Sequence, residues 1–184
     1  MTVPRSSGYI RRRANDILRA HGIYAPPVPI ELIARRLGAE VLYVPYEGEL
    51  AGMLIRQTGR TIIGVNNAHH RNRKRFTIAH ELGHLLLHDL NLHVDHNFKV
   101  RREPAETPTR VRRRDEISSL AVDPLEMEAN RFAAEILMPY EMVRADLAGA
   151  NFDYENIEEV KPLAKRYIVS SQAMLHRIAN IGHF

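Results

Sequence analysis

The run RFTIAHELGHLLLH, residues 75–88, constrains this chain more than any other segment. Phe76, Ile78, Ala79, Leu82, Leu85 and Leu86 supply apolar neighbours at helical intervals, so the segment reads as a helix with a face to bury. Residues four apart on a helix stand one above the other. His80 and His84 therefore present two imidazoles side by side, spaced to grip one tetrahedral cation. Glu81 is rotated about 100° from His80: too far round to share the ion, close enough to reach a water beside it and act as general base. The chain holds 10 histidines in 184 residues, and a shuffled sequence of this composition would contain H-E-x-x-H about 0.04 times. Two such histidines can also be core residues bonded to backbone carbonyls, and a third ligand is what separates the two readings.

Leu87 and Leu90 stand where a metzincin would carry Gly and His, which excludes that class. His88 is four residues beyond His84, but it lies about 12 Å along the axis from His80 and cannot share its ion. It reads as a cation at the helix C-terminus or a wall of a cleft. The better third ligand comes from DPLEMEANRFAAEILMP, residues 123–139. On a helical wheel Leu125, Ala129, Phe132, Ala133, Ile136 and Leu137 form the buried stripe. Glu126 and Asn130 flank it, while Glu128, Arg131 and Glu135 are expected to face water. Glu126 is thus the carboxylate held against the core, and Asn130, one turn on, can accept the second N–H of a ligand histidine. A competing account makes Asp123 and Glu126 a capping box with no metal at all.

Along the rest of the chain, residues 7–21 read as a helix ended by Gly22, and ELIARRL after Pro29 as a second helix stopped by Gly38. Three strands follow at residues 40–44, 51–56 and 61–65, the last two joined by a turn over 57–60. Asn66 or Asn67 can cap the helix that carries the histidines. Residues 89–122 are polar, hold Pro104 and Pro108, and read as a long mobile basic loop. Helical periodicity resumes at Asp123 and stops at Pro139, and two or three short helices close the chain. The expectation is an α+β fold: one helix-rich, zincin-like domain with a small three-stranded, mainly antiparallel sheet. Residues 1–140 form the core, and 141–184 a C-terminal helical extension packed on it.

Composition removes other classes. There is no cysteine, so no disulfide scaffold and no thiolate zinc site exists. MTVPRSSGYIRRR lacks the apolar stretch of a signal peptide, and no run approaches the roughly 18 apolar residues of a membrane span. A cytoplasmic protein is expected. The net charge is only +4, but basic residues cluster at Arg71, Arg73, Lys74 and Arg75 and again between Lys99 and Arg114. These are either solvated segments or a polyanion site, and direct nucleic-acid binding is the less favoured of the two.

RFTIAHELGHLLLH followed by EMEANRFAAEILMP resembles the ImmA/IrrE family of metallopeptidases, of gluzincin type, and PPVPIELIARRLGAEV and VNN resemble its N-terminal part. The similarity runs from about Arg11 to Tyr140. It implies His80, His84 and Glu126 as ligands of zinc, with manganese as the alternative metal, Glu81 as catalytic base, and Asn130 as the acceptor behind a ligand histidine. It also implies a function: an endopeptidase that cleaves a helix-turn-helix transcriptional repressor, encoded nearby, to relieve repression of a mobile element or stress regulon. A donor for the oxyanion is expected among His88, Tyr140, Tyr167 and His176. Residues 163–180 hold two short helices around V-S-S, either a faint helix-turn-helix or a packing hairpin. The rival from another class is a non-catalytic, metal-stabilised regulator that captures a repressor or DNA without cutting it.

Overall fold

The computed structural model describes residues 4–46, 50–89, 92–95, 123–148 and 157–181. The basic run from Lys99 to Arg114, and with it most of the segment read as a mobile loop, lies outside them. The elements in chain order are α1 (Ser7–Ala20), α2 (Ile30–Arg36), β1 (Ala39–Val44), β2 (Gly52–Gln57), β3 (Arg60–Asn66), α3 (Arg71–Leu87), β4 (Leu92–Asp95), α4 (Pro124–Leu137), α5 (Tyr140–Leu147), α6 (Ile157–Tyr167) and α7 (Ser171–Ile181). The α+β class follows directly from this order.

The sheet runs β1-β3-β2-β4. β1 and β3 are parallel, with Ala39 opposite Thr61, while β2 is antiparallel to β3, with Gln57 opposite Arg60. The two-residue turn between them uses Gly59 at φ +77°, a conformation that costs glycine nothing. β4 is a correction to the expected loop: four residues of it pair antiparallel with β2, Asp95 opposite Gly52, and extend the sheet by a fourth strand.

The helix stops fall where the glycines stand, Gly22 at φ +70° and Gly38 at φ +87°. The start of α3 does not fall on the expected asparagines. His70 caps it, its Nδ1 accepting from Asn72 N at 3.3 Å. Asn66 is used at the end of β3: its Oδ1 accepts from Ala68 N at 3.0 Å, and its Nδ2 donates to Leu50 O at 2.8 Å. It ties the approach to β2 against the turn leading into α3.

One apolar core runs through all the helices. It holds Ile10, Ile17, Ile33, Leu54, Ile63, Ile78, Leu82, Phe132 and Ile136, and continues through Val160, Tyr167, Met174 and Ile178 of α6 and α7. Two carboxylates expected in water are buried instead. Glu135 is 4% exposed and Glu128 6%, whereas Arg131 is exposed as expected. Glu135 receives Arg177 of α7 through two hydrogen bonds of 2.9 and 2.5 Å, and Arg177 Nε also donates to Met138 O at 2.8 Å. A buried carboxylate is tolerable only when so paired, and this pair locks the last helix onto α4.

The basic turn that opens α3 is partly structural. Arg75 donates to Val28 O at 2.8 Å, and Lys74 lies over the Tyr43 ring at 5.6 Å. Burial, and then repulsion from Arg71, lower the Arg75 pKa. Arg71 and Arg73 are exposed.

Candidate metal centre

The site forms where α3 crosses α4. The crossing is close because Gly83 meets Ala129: a Cβ on Gly83 would stand 3.1 Å from Ala129 Cα and 3.2 Å from its carbonyl oxygen. Small residues let the two backbones approach, and each helix then offers its next turn of polar side chains to the other. His80 and His84 come from α3, Glu126 and Asn130 from α4.

His80 is 2% exposed and His84 fully buried. Their Nε2 atoms face each other at 3.0 Å. Glu126 reaches both, with Oε2 3.4 Å from His80 Nε2 and Oε1 3.5 Å from His84 Nε2. Ligand atoms of these three residues all lie within 4.8 Å of one another. Asp123 does cap α4, accepting from Leu125 N at 2.9 Å, but the Glu126 carboxylate is turned to the histidines. The donor set of two imidazole nitrogens and one carboxylate, with Glu126 partly open to solvent, suits a divalent ion that keeps one free position. His80 Nδ1 is 2.9 Å from Asn130 Oδ1. A carbonyl oxygen can only accept, so Nδ1 carries the proton and Nε2 keeps its lone pair for the shared point. The His80 lone pair and the Glu126 carboxylate thus converge with His84 Nε2, a set that one cation can satisfy.

Glu81 is fully buried and is not one of the three converging groups. Its carboxylate lies toward the start of β2, where a Cβ on Gly52 would come within 3.6 Å of Glu81 Oε1. The hydroxyl of Tyr46 occupies the space beside Gly64 on the facing strand. Burial, and then the negative charge of Glu81, raise the Tyr46 pKa. Sequence reading missed Tyr46. Its only signal is an isolated tyrosine between β1 and β2, outside any periodic run.

The four residues considered for the oxyanion make other contacts in the structure. Tyr167 is fully buried, and its hydroxyl donates to Asp146 Oδ2 at 2.8 Å. Tyr140 carries Arg11 over its ring at 4.2 Å. His176 pairs with Gln172 on the exposed side of α7. His88 is the C-cap of α3, at the helix end read from the sequence, and is 7% exposed. It sits behind His84, its Nδ1 3.0 Å from His84 Nδ1 and its Nε2 3.1 Å from Glu128 Oε2. Glu128 in turn accepts from the backbone N–H of Arg5 at 2.6 Å and from its guanidinium at 3.1 Å. Burial pushes the Glu128 carboxyl up, but these hydrogen bonds and the Arg5 charge outweigh it and hold the group below the ordinary carboxylate value.

A mixed sheet beside a helix carrying H-E-x-x-H, with a carboxylate brought in by a following helix, is the arrangement of zincin-like metallopeptidases. The chain belongs to the Peptidase M78 family, described as the IrrE N-terminal-like domain, which it matches over residues 34–179. The match begins within α2, later than the resemblance read from the sequence, and reaches through α6 into α7. Among solved structures it is similar to a Mycobacterium tuberculosis transcriptional regulator, at 13% identity and a TM-score of 0.56, over 94% of this chain and 46% of that one. The present chain thus spans less than half the length of that protein, and at this identity the likeness is one of fold. No curated protein matches the chain.

Proposed function

We propose that the chain is a zinc-dependent endopeptidase of the cytoplasm that cuts a helix-turn-helix transcriptional repressor. The observation that carries this reading is the convergence of His80 Nε2, His84 Nε2 and a Glu126 oxygen on one point beside a buried Glu81. In the mechanism His80, His84 and Glu126 would hold the metal, and the chemistry it would supply is Lewis-acid polarisation of the scissile carbonyl and a lowered pKa for water. Glu81 would accept a proton from the attacking water as its oxygen bonds to the carbonyl carbon, and would pass that proton to the amine nitrogen as the C–N bond breaks. Asn130 fixes the His80 ring through Nδ1. Zinc suits this nitrogen and oxygen set, with manganese as the alternative that availability could impose.

The substrate is expected to lie extended along the sheet edge. β1 and β4 are the outer strands, and β4 runs beside the Gly52 end of β2, where Glu81 lies. An added strand there would use main-chain hydrogen bonds to present its peptide bond. The repressor is therefore cut in an exposed linker or a locally melted segment. Its assignment as target rests on the family resemblance, and a fold neighbour named a transcriptional regulator fits a place in gene control. No helix among the described residues is long and apolar enough to cross a membrane.

The test is Glu81→Gln, assayed on the repressor encoded nearest to this chain. The variant should keep its metal and its fold and lose cleavage by about 10²–10⁴-fold, because an amide cannot accept the proton. Unchanged repressor binding without any cleavage by the wild-type protein would establish the binding-only alternative instead.

A further inference from the structure

Behind the metal centre runs a buried line of polar groups that the proposed mechanism does not use: His84, His88, Glu128 and Arg5. We infer that His88 and Glu128 are positioning residues that fix the tautomer and ring orientation of the ligand His84, and that the N-terminal segment at Arg5 anchors them. The inference rests on the reading of His84 as a metal ligand.

With His88 neutral, these contacts run in one direction along the line. At its far end Glu128 is acceptor-only as a carboxylate, and it receives the Arg5 backbone N–H at 2.6 Å and its guanidinium at 3.1 Å. The 3.1 Å contact from His88 Nε2 to Glu128 Oε2 therefore needs its proton on the imidazole. A neutral His88 with a proton on Nε2 has a bare Nδ1, which can only accept. Across the next gap, 3.0 Å between His88 Nδ1 and His84 Nδ1, the proton must belong to His84. His84 then has its lone pair on Nε2, the atom that faces His80 Nε2 and Glu126. A carboxylate 40 residues away from His88 in sequence, clamped by a backbone amide 123 residues away from itself, thus sets which nitrogen of His84 carries the lone pair turned to the metal site.

Burial gives the line its authority. His84 is 0%, His88 7% and Glu128 6% exposed, so water competes poorly for these bonds, and an imidazole that lost its partner could not replace it cheaply. Asn130 does the same for His80 from the solvent side. The two ligand histidines are therefore held by separate devices, one a single exposed amide and the other a relay that ends on the chain's first described residues.

The experiment uses the full chain and zinc alone. Chelator competition gives the zinc Kd, and melting of the metal-free form gives the structural cost, for wild type, His88→Phe, Glu128→Ala and Glu128→Gln. Glu135→Ala is the control, being an equally buried carboxylate of the same helix that serves Arg177. Loss of such an outer partner weakens metal affinity by about 10–100-fold. That loss is expected for His88→Phe and Glu128→Ala. Glu128→Gln should recover most of it, because its carbonyl still accepts from His88 Nε2, whereas a role limited to pairing the Arg5 charge would not be rescued. Glu135→Ala should melt earlier yet keep its zinc affinity. Long-range proton–nitrogen NMR of the wild-type zinc form needs no variant to fold, and should show His88 protonated on Nε2 and bare on Nδ1. Zinc affinity in His88→Phe and Glu128→Ala within twofold of wild type, or a His88 proton on Nδ1, would overturn the inference while leaving the metal centre intact. A wild-type chain that takes up no zinc would overturn the metal centre and this inference together.

Discussion

Gly83 of α3 rests against Ala129 of α4 so closely that an added Cβ would stand 3.1 Å from Ala129 Cα and 3.3 Å from Phe132 Cβ. This contact sets how far His80 and His84 lie from Glu126, since all three project from the turns on either side of it. Gly83→Ala should gain about 1 kcal/mol in helix propensity and lose about 1–3 kcal/mol to overpacking. The net change in unfolding free energy is expected to be a small loss, while zinc affinity falls further because α4 is displaced. Urea titration of the metal-free protein and chelator competition measure the two effects separately. Unaltered zinc affinity would show that the helix spacing does not control the site.

A second glycine places the base. A Cβ on Gly52 would run into Thr77 of α3 and stand 2.8 Å from the Gly64 carbonyl, a backbone atom that cannot swing aside. Gly52→Ala is therefore expected to destabilise by about 1–3 kcal/mol and to shift β2 relative to Glu81. Thermal melting and peptidase rate should fall together, with the zinc content close to wild type, because the atoms the added Cβ meets belong to Thr77, Gly64 and Glu81 and to none of the ligands.

Much of this architecture is legible in the sequence because its signals are local. Gly22, Gly38 and Pro139 mark helix ends, the residues around Gly59 mark the hairpin, and the four-residue spacing of His80 and His84 fixes their common face. Glu128 and Glu135 were unreadable for the opposite reason. A helical wheel ranks side chains by polarity and sends carboxylates to water, but each is buried against partners far along the chain, Arg5 and His88 for one and Arg177 for the other. β4 failed similarly: four residues in a polar segment become a strand only because the edge of β2 pairs with them. His88 stands at the helix end where the sequence places it, but its contact with Glu128 was not legible because that residue belongs to another helix.

The Glu135–Arg177 pair carries its own prediction. Both groups are about 95% buried and joined by two hydrogen bonds. Removing Arg177 leaves the buried Glu135 with only the 3.4 Å contact from Arg11 Nε, a cost of up to about 3–5 kcal/mol. Arg177→Met should thus unfold at much lower urea, whereas Glu135→Leu with Arg177→Met should recover most of the loss, as apolar replacement of both partners often does. A double variant no better than the single one would show that Arg177 acts chiefly through its bond to Met138 O.

The start of α4 offers the cleanest separation of structure from chemistry, because Asp123 and Glu126 were readable as two halves of one capping box. The structure divides them: Asp123 accepts from Leu125 N, while Glu126 stands 3.4 and 3.5 Å from the two histidine Nε2 atoms. Asp123→Ala should cost about 1 kcal/mol of stability, the usual loss of an N-cap, and leave zinc binding close to wild type. Glu126→Ala should do the reverse. Its metal-free form loses little, since two imidazoles no longer face a carboxylate, but one of three ligands is gone and about one equivalent of zinc per chain should fall to a fraction of that after dialysis. Elemental analysis beside a melting curve reads both quantities for each variant, with His80→Ala and His84→Ala as reference losses. Full zinc retention in Glu126→Ala together with a lowered melting temperature would return Glu126 to the cap and leave the third ligand to be found elsewhere.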